Sequence, residues 1–393
     1  MKILHISTFF EPELGYEEYC NAKEQAKQGH DVHVVCTNLR SDRTLKGKNK
    51  YLPIGLEKIS NIIIYRLPCL PEIKSDFVIP FNFKKTLNKI KPDIIHAHTS
   101  TQFTSWLAVK FANKTNIPIV VDLHGIGWQE KKKLNPIAIT KLIIKKIFYL
   151  VEKSTIINAN MLVPTTELWN KKLHNDYNFE ENKVFLNSLG VDLDIFNKNE
   201  SIRKSKRNEL LIKQDECVII FFGFIRKPKR LDLVLDTLTR LPENYKLIIA
   251  GPIEKNVLND TLILKLLNNL KNRIIVTGKV SQTELNQLLN AADIALWPAN
   301  VSIGILQSSA IGLPSIYPDW AYNFSPISRE TTIAELKIKL IINKINQLFS
   351  SPDYYDSESI KAIKFANTRS YAIKSNELIK LYKKIIYENK TYI

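Results

Sequence analysis

Short apolar runs rich in Ile, Val and Phe alternate along this chain with longer stretches whose apolar positions recur every three or four residues, the spacing of one buried helix face. In the first half the runs predict strands over Lys2–Ser7, Asp31–Cys36, Ile62–Arg66, Ile94–Ala97, Ile119–Asp122 and Met161–Pro164. In the second half they predict strands over Cys217–Phe222, Tyr245–Ala250, Ile274–Thr277, Ile294–Trp297 and Ser315–Tyr317, each followed by a helical segment. The stretch Glu17–Gly29 reads as a helix that ends with its glycine in the usual stop position.

Strands alternating with helices in this way require parallel sheets with crossover connections, so the fold class is α/β. At 393 residues the chain suits two such domains, both Rossmann-like and doubly wound. The first is read over residues 1–196 and the second over 197–373, with the polar stretch Asn197–Gln214 as the hinge. A C-terminal helix over 374–389 is expected to return to the first domain. Doubly wound sheets bind ligands beyond the carboxyl ends of their strands. The active site is therefore expected in the interdomain cleft, among Thr8–Tyr16, His96–Thr99, His124–Gly127, Gly223–Arg230, Gly251–Pro252, Gly278–Val280 and Trp297–Gln307.

Composition fits a globular protein: 45% of residues are hydrophobic and 24% charged, with Gly and Pro too sparse for a disordered or fibrous chain. The N-terminal strand runs directly into the polar turn Glu11-Pro12-Glu13, without the apolar core of a signal peptide. The four cysteines are scattered, which argues against a disulfide framework and a Cys-type zinc site. A cytoplasmic protein with reduced thiols is expected. The net charge of +17 favours anionic partners, whether nucleic acid, an acidic membrane surface or a phosphorylated substrate. Without zinc-finger spacing, an aromatic RNA-binding signature or a basic zipper, nucleic acid ranks last. Abundant Lys, Ile and Asn also fit a biased base composition.

The most informative segment is Trp297–Pro314, a strand end, a polar loop and a helix start closed by Gly312-Leu313-Pro314. A polar loop opening onto a helix offers unpaired N–H groups to a phosphate, and Gln307, one turn in, can reach what the phosphate carries. Lys229 and Arg226 follow a strand, where a cation can neutralise a pyrophosphate leaving group without a metal; the alternative is a solvated basic loop shared with Lys227 and Arg230. Gly15 lets backbone approach a ligand, or is a turn glycine. Glu17 and Glu18 open a helix, where the dipole alone favours carboxylates. His124, at a strand end, can donate to a hydroxyl or support developing charge. His96 and His98 are read as facing opposite ways along their strand, which argues against a metal pair. Lys131–Lys153 carries Lys141 and Lys145 on one face and Ile137, Ile144, Ile147, Phe148 and Val151 on the other, as a half-buried Rossmann helix or a membrane-surface helix does.

Taken in order, several segments resemble glycosyltransferase family 4, retaining nucleotide-sugar enzymes of the GT-B fold. They are Phe9–Glu18, Gly29–Val34, Pro92–His98, Asp122–Gly125, Ser188–Phe196, Gly223–Asp232, Ala292–Ile294 and the Gly312–Pro314 turn. The resemblance implies a hexosyltransferase-type enzyme that moves a sugar from a nucleotide-diphosphate donor to a hydroxyl of a glycan or lipid-linked acceptor, with no metal or other cofactor. It implies that Lys229 stabilises the leaving group and His124 touches the transferred sugar. By the same resemblance Gly15 and Gly223 are expected near the donor, Ser302, Ile303 and Gly304 near its phosphates, Gln307 on the ribose, Lys279 and Val280 near the base, and Tyr16 and Glu18 toward the acceptor. Three positions depart from the family pattern. Tyr16 replaces the second of two paired glycines, as in branches expected to act on lipid-linked or surface-polysaccharide acceptors. Gly223-Phe224 replaces Gly-Arg, with Arg226 as stand-in, and the family's two spaced glutamates are absent, the second falling on Gln307. A catalytically weak relative that binds a nucleotide sugar or a partner enzyme is the alternative. With +17, a peripheral position on an anionic membrane is a further expectation.

Overall fold

A computed structural model describes residues 1–41, 49–70, 77–124, 138–177, 179–323 and 325–391. The chain divides into two units, Met1–Leu189 with Tyr371–Ile393, and Gly190–Ser370.

In the first unit, strands β1 (Lys2–Ser7), β2 (Asp31–Thr37), β3 (Gly55–Ile59), β4 (Ile62–Leu67), β5 (Ile94–Ala97), β6 (Ile119–Leu123) and β7 (Met161–Pro164) form one sheet, ordered β3-β4-β2-β1-β5-β6-β7. Its helices are α1 (Glu17–Lys27), α2 (Phe83–Ile90), α3 (Phe103–Thr115), α4 (Ala138–Ile157) and α5 (Leu168–Tyr177). The six parallel strands follow the expected runs to within a residue. β3 was not expected. It is an exposed antiparallel edge whose Glu57 and Lys58 obscure any apolar alternation, joined to β4 by a turn in which Ser60 and Asn61 have φ of 49° and 63°.

In the second unit, β8 (Cys217–Phe222), β9 (Tyr245–Ala250), β10 (Ile274–Gly278), β11 (Ile294–Leu296), β12 (Ser315–Pro318) and β13 (Thr332–Ile333) form a parallel sheet ordered β10-β9-β8-β11-β12-β13. Around it run α6 (Glu200–Glu209), α7 (Leu231–Thr239), α8 (Lys255–Leu258), α9 (Thr261–Asn269), α10 (Gln282–Ala291), α11 (Gly304–Ala310), α12 (Ile338–Ser350) and α13 (Pro352–Asn367). The last helix, α14 (Tyr371–Thr391), packs on the first unit.

The stretch Asn197–Gln214, read as a hinge, instead holds α6 within the second unit. Asn199 caps it by accepting from the Ile202 N–H at 3.0 Å. Arg203 and Arg207 pair with Asp293 at 2.6 and 3.2 Å, and Lys206 and Arg207 are buried. Its polarity concealed a helix whose cations bury their stems and reach carboxylate and carbonyl partners.

The strand order reverses between β1 and β5 in the first sheet and between β8 and β11 in the second, so each sheet has a switch point where loops diverge and leave room for a ligand. In the first sheet, Leu4, Ile6, Ile95, Ala97, Ile119, Val121 and Leu123 pack on α2 and α3. The other face buries Ile3, Ile94 and Val120 under Leu378, Leu381, Tyr382 and Ile385 of α14. Each aliphatic side chain so buried contributes about 1.5–3 kcal/mol, which firmly anchors α14 to that face.

Candidate functional site

Toward the carboxyl end of the α14-covered face the side chains turn polar. Residues two apart on a strand share a face, so Ile3 is followed by His5, Ile94 by His96 and His98, and Val120 by Asp122 and His124. Pairing aligns His5 with His96 and His96 with Val120, which gathers the polar groups at the β1/β5 switch point. The expectation that His96 and His98 face opposite ways is thereby corrected. Their rings stack with centroids 4.6 Å apart, as period two dictates.

Asp122 is the centre of this cluster and has no exposed surface. Its Oδ1 accepts from the Thr99 N–H at 2.6 Å and lies 3.2 Å from His124 Nε2, while its Oδ2 lies 2.5 Å from His98 Nδ1. Burial works against its charge, yet His124 and His98 hold its carboxyl well below the usual range. Burial also opposes charge on His124, and Asp122, with Glu17 and Glu18, overrides it and raises that imidazole to about 10. His124 is half-buried, so it presents a cationic N–H donor at the edge of the cluster. Glu17, 5% exposed, places Oε2 3.5 Å from His124 Nε2. Burial, partly offset by His124, pushes its carboxyl up to about 7. Glu18, beside it, is half-buried and is also raised by burial.

The ligand atoms of His5, His96 and His98, and of His98, Asp122 and His124, lie within 4.8 Å of one another, a spacing at which a cation could be held. Both nitrogens of His98 already sit at hydrogen-bond distance from Asp122 and His5, so this group is a hydrogen-bonded network. Tyr16 caps α1 and is half-buried, and Gly15, at φ 58°, closes the preceding turn by donating its N–H to Pro12 O at 3.0 Å. Sequence reasoning missed Asp122, His5 and the pairing of Glu17 with His124, and placed His98 only within the expected His96–Thr99 segment. The apolar-to-polar change along three strands was the signal available.

The second unit builds a different site from three strand-end glycines. Gly223, Gly251 and Gly278 end β8, β9 and β10 with φ of 95°, 120° and 69°. A Cβ on Gly251 would stand 2.2 Å from Gly223 O, so only glycine permits this backbone approach. A Cβ on Gly223 would stand 2.9 Å from Lys229 Nζ and 3.8 Å from Ser302 Oγ. The missing side chain thus lets the Lys229 ammonium sit against the Gly223 backbone, with the Ser302 hydroxyl on the same side. Lys229 ends a short 3-10 turn, donates to Phe222 O at 3.1 Å and lies 5.3 Å from the centre of the Trp297 ring. Burial, then the nearby charge of Arg226, lowers its pKa to about 8.

Gly304, buried at the start of α11, is required for close packing, because a Cβ there would meet the rings of Trp297 at 2.5 Å and Phe222 at 2.7 Å. Ile303 occupies the cap position without a capping side chain, and the Gly304 N–H points to Ser302 Oγ at 3.4 Å. Gln307 is half-buried where the other α11 side chains are buried. Arg226 is largely exposed, pairs with Glu254 at 3.2 Å and lies 4.5 Å from the centre of the Phe224 ring. Lys279 is exposed and Val280 half-buried, just past Gly278. The structure thus gathers Gly223, Lys229, Ser302 and Gly304, with Ile303 and Gln307 on the same loop and helix.

Of the basic segment Lys131–Lys153, residues 131–137 and the side chains of Lys141, Ile144 and Lys145 lie outside the described residues, as does Gly125. On α4, Phe148 and Val151 are buried and Ile147 is exposed. Among the described residues no helix is long and apolar enough to cross a membrane.

Two doubly wound units, each with polar side chains at its switch point, define a protein of the GT-B glycosyltransferase fold. Among solved structures, sucrose-phosphate synthase from Thermosynechococcus elongatus is similar with a TM-score of 0.75 and 15% identity, over 98% of this chain and 99% of that one. Anabaena HepE, solved in complex with UDP, is similar with a TM-score of 0.73 and 14% identity, over 98% and 100%. Residues 21–195 match the model of Glycosyltransferase Family 4 and residues 202–364 that of Glycosyl transferases group 1, and the chain belongs to this glycosyltransferase family. D-inositol 3-phosphate glycosyltransferase from Xylanimonas cellulosilytica is 24% identical over 235 residues, 57% of this chain and 55% of that protein. The match thus spans about half the length of that curated relative.

Proposed function

We propose that the protein transfers a sugar from a nucleoside diphosphate sugar to a hydroxyl of a glycan or lipid-linked acceptor, with retention at the anomeric carbon and without a metal ion. The observation that carries this reading is the Lys229 ammonium held against the Gly223 backbone, with Ser302 Oγ on the same side. A desolvated cation held against glycine backbone at a strand end suits a diphosphate, whose charge grows as the sugar leaves. Ser302 and the N–H groups near Ile303 and Gly304 add donors, and Gln307 is assigned to the ribose. HepE, solved with UDP, supports a nucleoside diphosphate as the ligand class. The relatives' name, an inositol phosphate glycosyltransferase, supports a hydroxyl acceptor.

In the first unit His124, held cationic by Asp122, is assigned to a hydroxyl of the transferred sugar. Raised to about 10, it acts as a hydrogen-bond donor and not as a proton acceptor. Glu17, near 7, is the group beside it able to exchange a proton at neutral pH. Tyr16 and Glu18 are assigned to the acceptor. The net charge of +17 supports an anionic membrane carrying a lipid-linked acceptor, hence a place in surface polysaccharide or glycoconjugate assembly.

Gln307 and Phe224, where the resemblance expects a carboxylate and an arginine, favour a second reading as a nucleotide-sugar-binding subunit with little turnover. A panel of nucleoside diphosphate sugars, read by calorimetry and by release of nucleoside diphosphate with and without chelator, separates the two. Binding with chelator-resistant turnover supports the transferase, binding without turnover the second reading, and absence of binding contradicts both.

A further inference from the structure

Behind His124, five buried side chains form a ring on Asp122, hydrogen-bonded at every step except His96 to Asp122, which is an electrostatic contact. His98 Nδ1 lies 2.5 Å from Asp122 Oδ2, and His98 Nε2 lies 2.9 Å from His5 Nδ1. His5 Nε2 lies 2.7 Å from Gln25 Oε1, and the Gln25 amide nitrogen donates to Tyr382 Oη at 3.5 Å. Tyr382 Oη is 2.6 Å from His96 Nδ1, and His96 Nε2 faces Asp122 Oδ2 at 3.6 Å. His98 is 2% exposed and the other four not at all.

The supply of protons around this ring sets its direction. An ionised Asp122 only accepts. A lone pair on His96 Nε2 would face that carboxylate in a dry interior, which is repulsive, whereas an N–H there is attractive. With its proton on Nε2, His96 accepts from the Tyr382 hydroxyl through Nδ1. The Tyr382 oxygen then takes the Gln25 amide N–H, Gln25 Oε1 takes the His5 Nε2–H, and His5 Nδ1 is left as an acceptor. Only a proton on His98 Nε2 can satisfy it, and His98 Nδ1 carries another toward Asp122.

We infer that the ring holds His98 as a buried imidazolium, and that Tyr382, Gln25 and His5 are positioning residues that act through it on the Asp122 carboxylate that holds His124. The inference deepens the proposed transfer reaction by naming residues that orient its donor histidine, although the proton assignment itself needs no substrate. Asp122 thereby has a cation on each oxygen. The groups facing His98 are His5 on β1, His96 on β5, Asp122 and His124 on and after β6, and Glu17 and Glu18 on α1. Glu152 of α4 lies near the same loop, accepting from Ser100 Oγ at 3.4 Å. Burial opposes charge on His98, but Asp122 raises its pKa. His5, brought down to about 3, and His96, well below its usual value, are kept neutral by burial and by His98.

The test is an NMR titration of the imidazole nitrogens in the full chain without nucleotide or acceptor, for wild type, Tyr382→Phe and Gln25→Met. In the wild type both His98 nitrogens are expected to stay protonated at neutral pH, above the ordinary imidazole midpoint of 6.5. Tyr382→Phe frees the Gln25 amide to turn its N–H groups toward His5, which then donates to His98 Nε2 and displaces its proton. Gln25→Met removes the fixed acceptor for His5 and loosens the same bond. In each variant the His98 midpoint is expected to fall by about one unit or more. A neutral wild-type His98 near pH 7 overturns the inference, as does a midpoint unchanged in Tyr382→Phe, which loses one oxygen and keeps its ring in the apolar cluster. Should Gln25→Met fail to fold, wild type and Tyr382→Phe decide. Absence of glycosyl transfer would sink the proposed function and leave the titration standing, whereas transfer with an unperturbed His98 would sink the ring alone.

Discussion

A side-chain carbon at Gly223 would stand 2.9 Å from Nζ of Lys229, so the absence of that carbon and the position of the ammonium form one arrangement. The backbone at Gly223, φ 95°, independently demands glycine. Gly223→Ala is therefore expected to cost about 1–2 kcal/mol of stability from backbone strain alone. It is also expected to weaken nucleoside diphosphate binding by about tenfold or more as Lys229 is pushed aside. Denaturant unfolding and calorimetry on the same preparation separate the two effects.

In the proposed donor site, Lys229 confers a pH dependence. Its pKa lies near 8 because burial and Arg226 disfavour its charge. A bound diphosphate favours the charged form, so affinity should be full below that value and fall as pH rises through it. Calorimetry at several pH values checks this. Affinity that is flat from about pH 7 to 9 would separate Lys229 from the diphosphate.

Gln307, the half-buried side chain of α11, contributes a neutral amide where a carboxylate is expected. Charged acceptors form hydrogen bonds roughly 1 kcal/mol stronger than neutral ones. Gln307→Glu is expected to raise nucleotide-sugar affinity by about fivefold while leaving affinity for inorganic phosphate unchanged. An equal change for both ligands would place Gln307 away from the ribose.

Glu17 and His124 make stability decline as pH rises. Burial lifts the Glu17 carboxyl to about 7, so the native state holds its proton more tightly than the unfolded chain. The stability this group contributes is present below its ordinary value of 4.5 and lost as pH rises through about 7. His124, raised from 6.5 to about 10, contributes stability that is present below 6.5 and lost through about 10. Asp122, held low, acts in the opposite sense at the acid end. Glu17→Gln should flatten the urea midpoint between pH 4.5 and 7 and leave the later decline in place.

Much of this organisation was legible in the chain. The parallel strands announced themselves as apolar runs, because a strand buried on both faces needs no alternation. That Lys229 and His124 stand just after strands was also legible. Asp122 lay in plain sight two residues from His124, His98 fell inside the expected His96–Thr99 segment, and period two places His96 and His98 on one face of β5. Tyr382 was beyond reach, since 286 residues separate it from His96 and nothing local marks a tyrosine on an amphipathic helix as a polar contact. β3 was missed because an exposed edge strand gives no burial pattern, and α6 because its buried cations read as solvent-facing.

The most direct measurement is nucleoside diphosphate release from nucleotide sugars by wild type and Lys229→Met, with calorimetric binding of the same donors. At least one donor should bind and turn over in the wild type, and Lys229→Met should lower kcat by roughly 10²–10³ while the fold is retained. Wild-type turnover that survives Lys229→Met undiminished, or a wild type that binds no nucleoside diphosphate, would contradict the assignment of the Gly223–Lys229 pair to the leaving group.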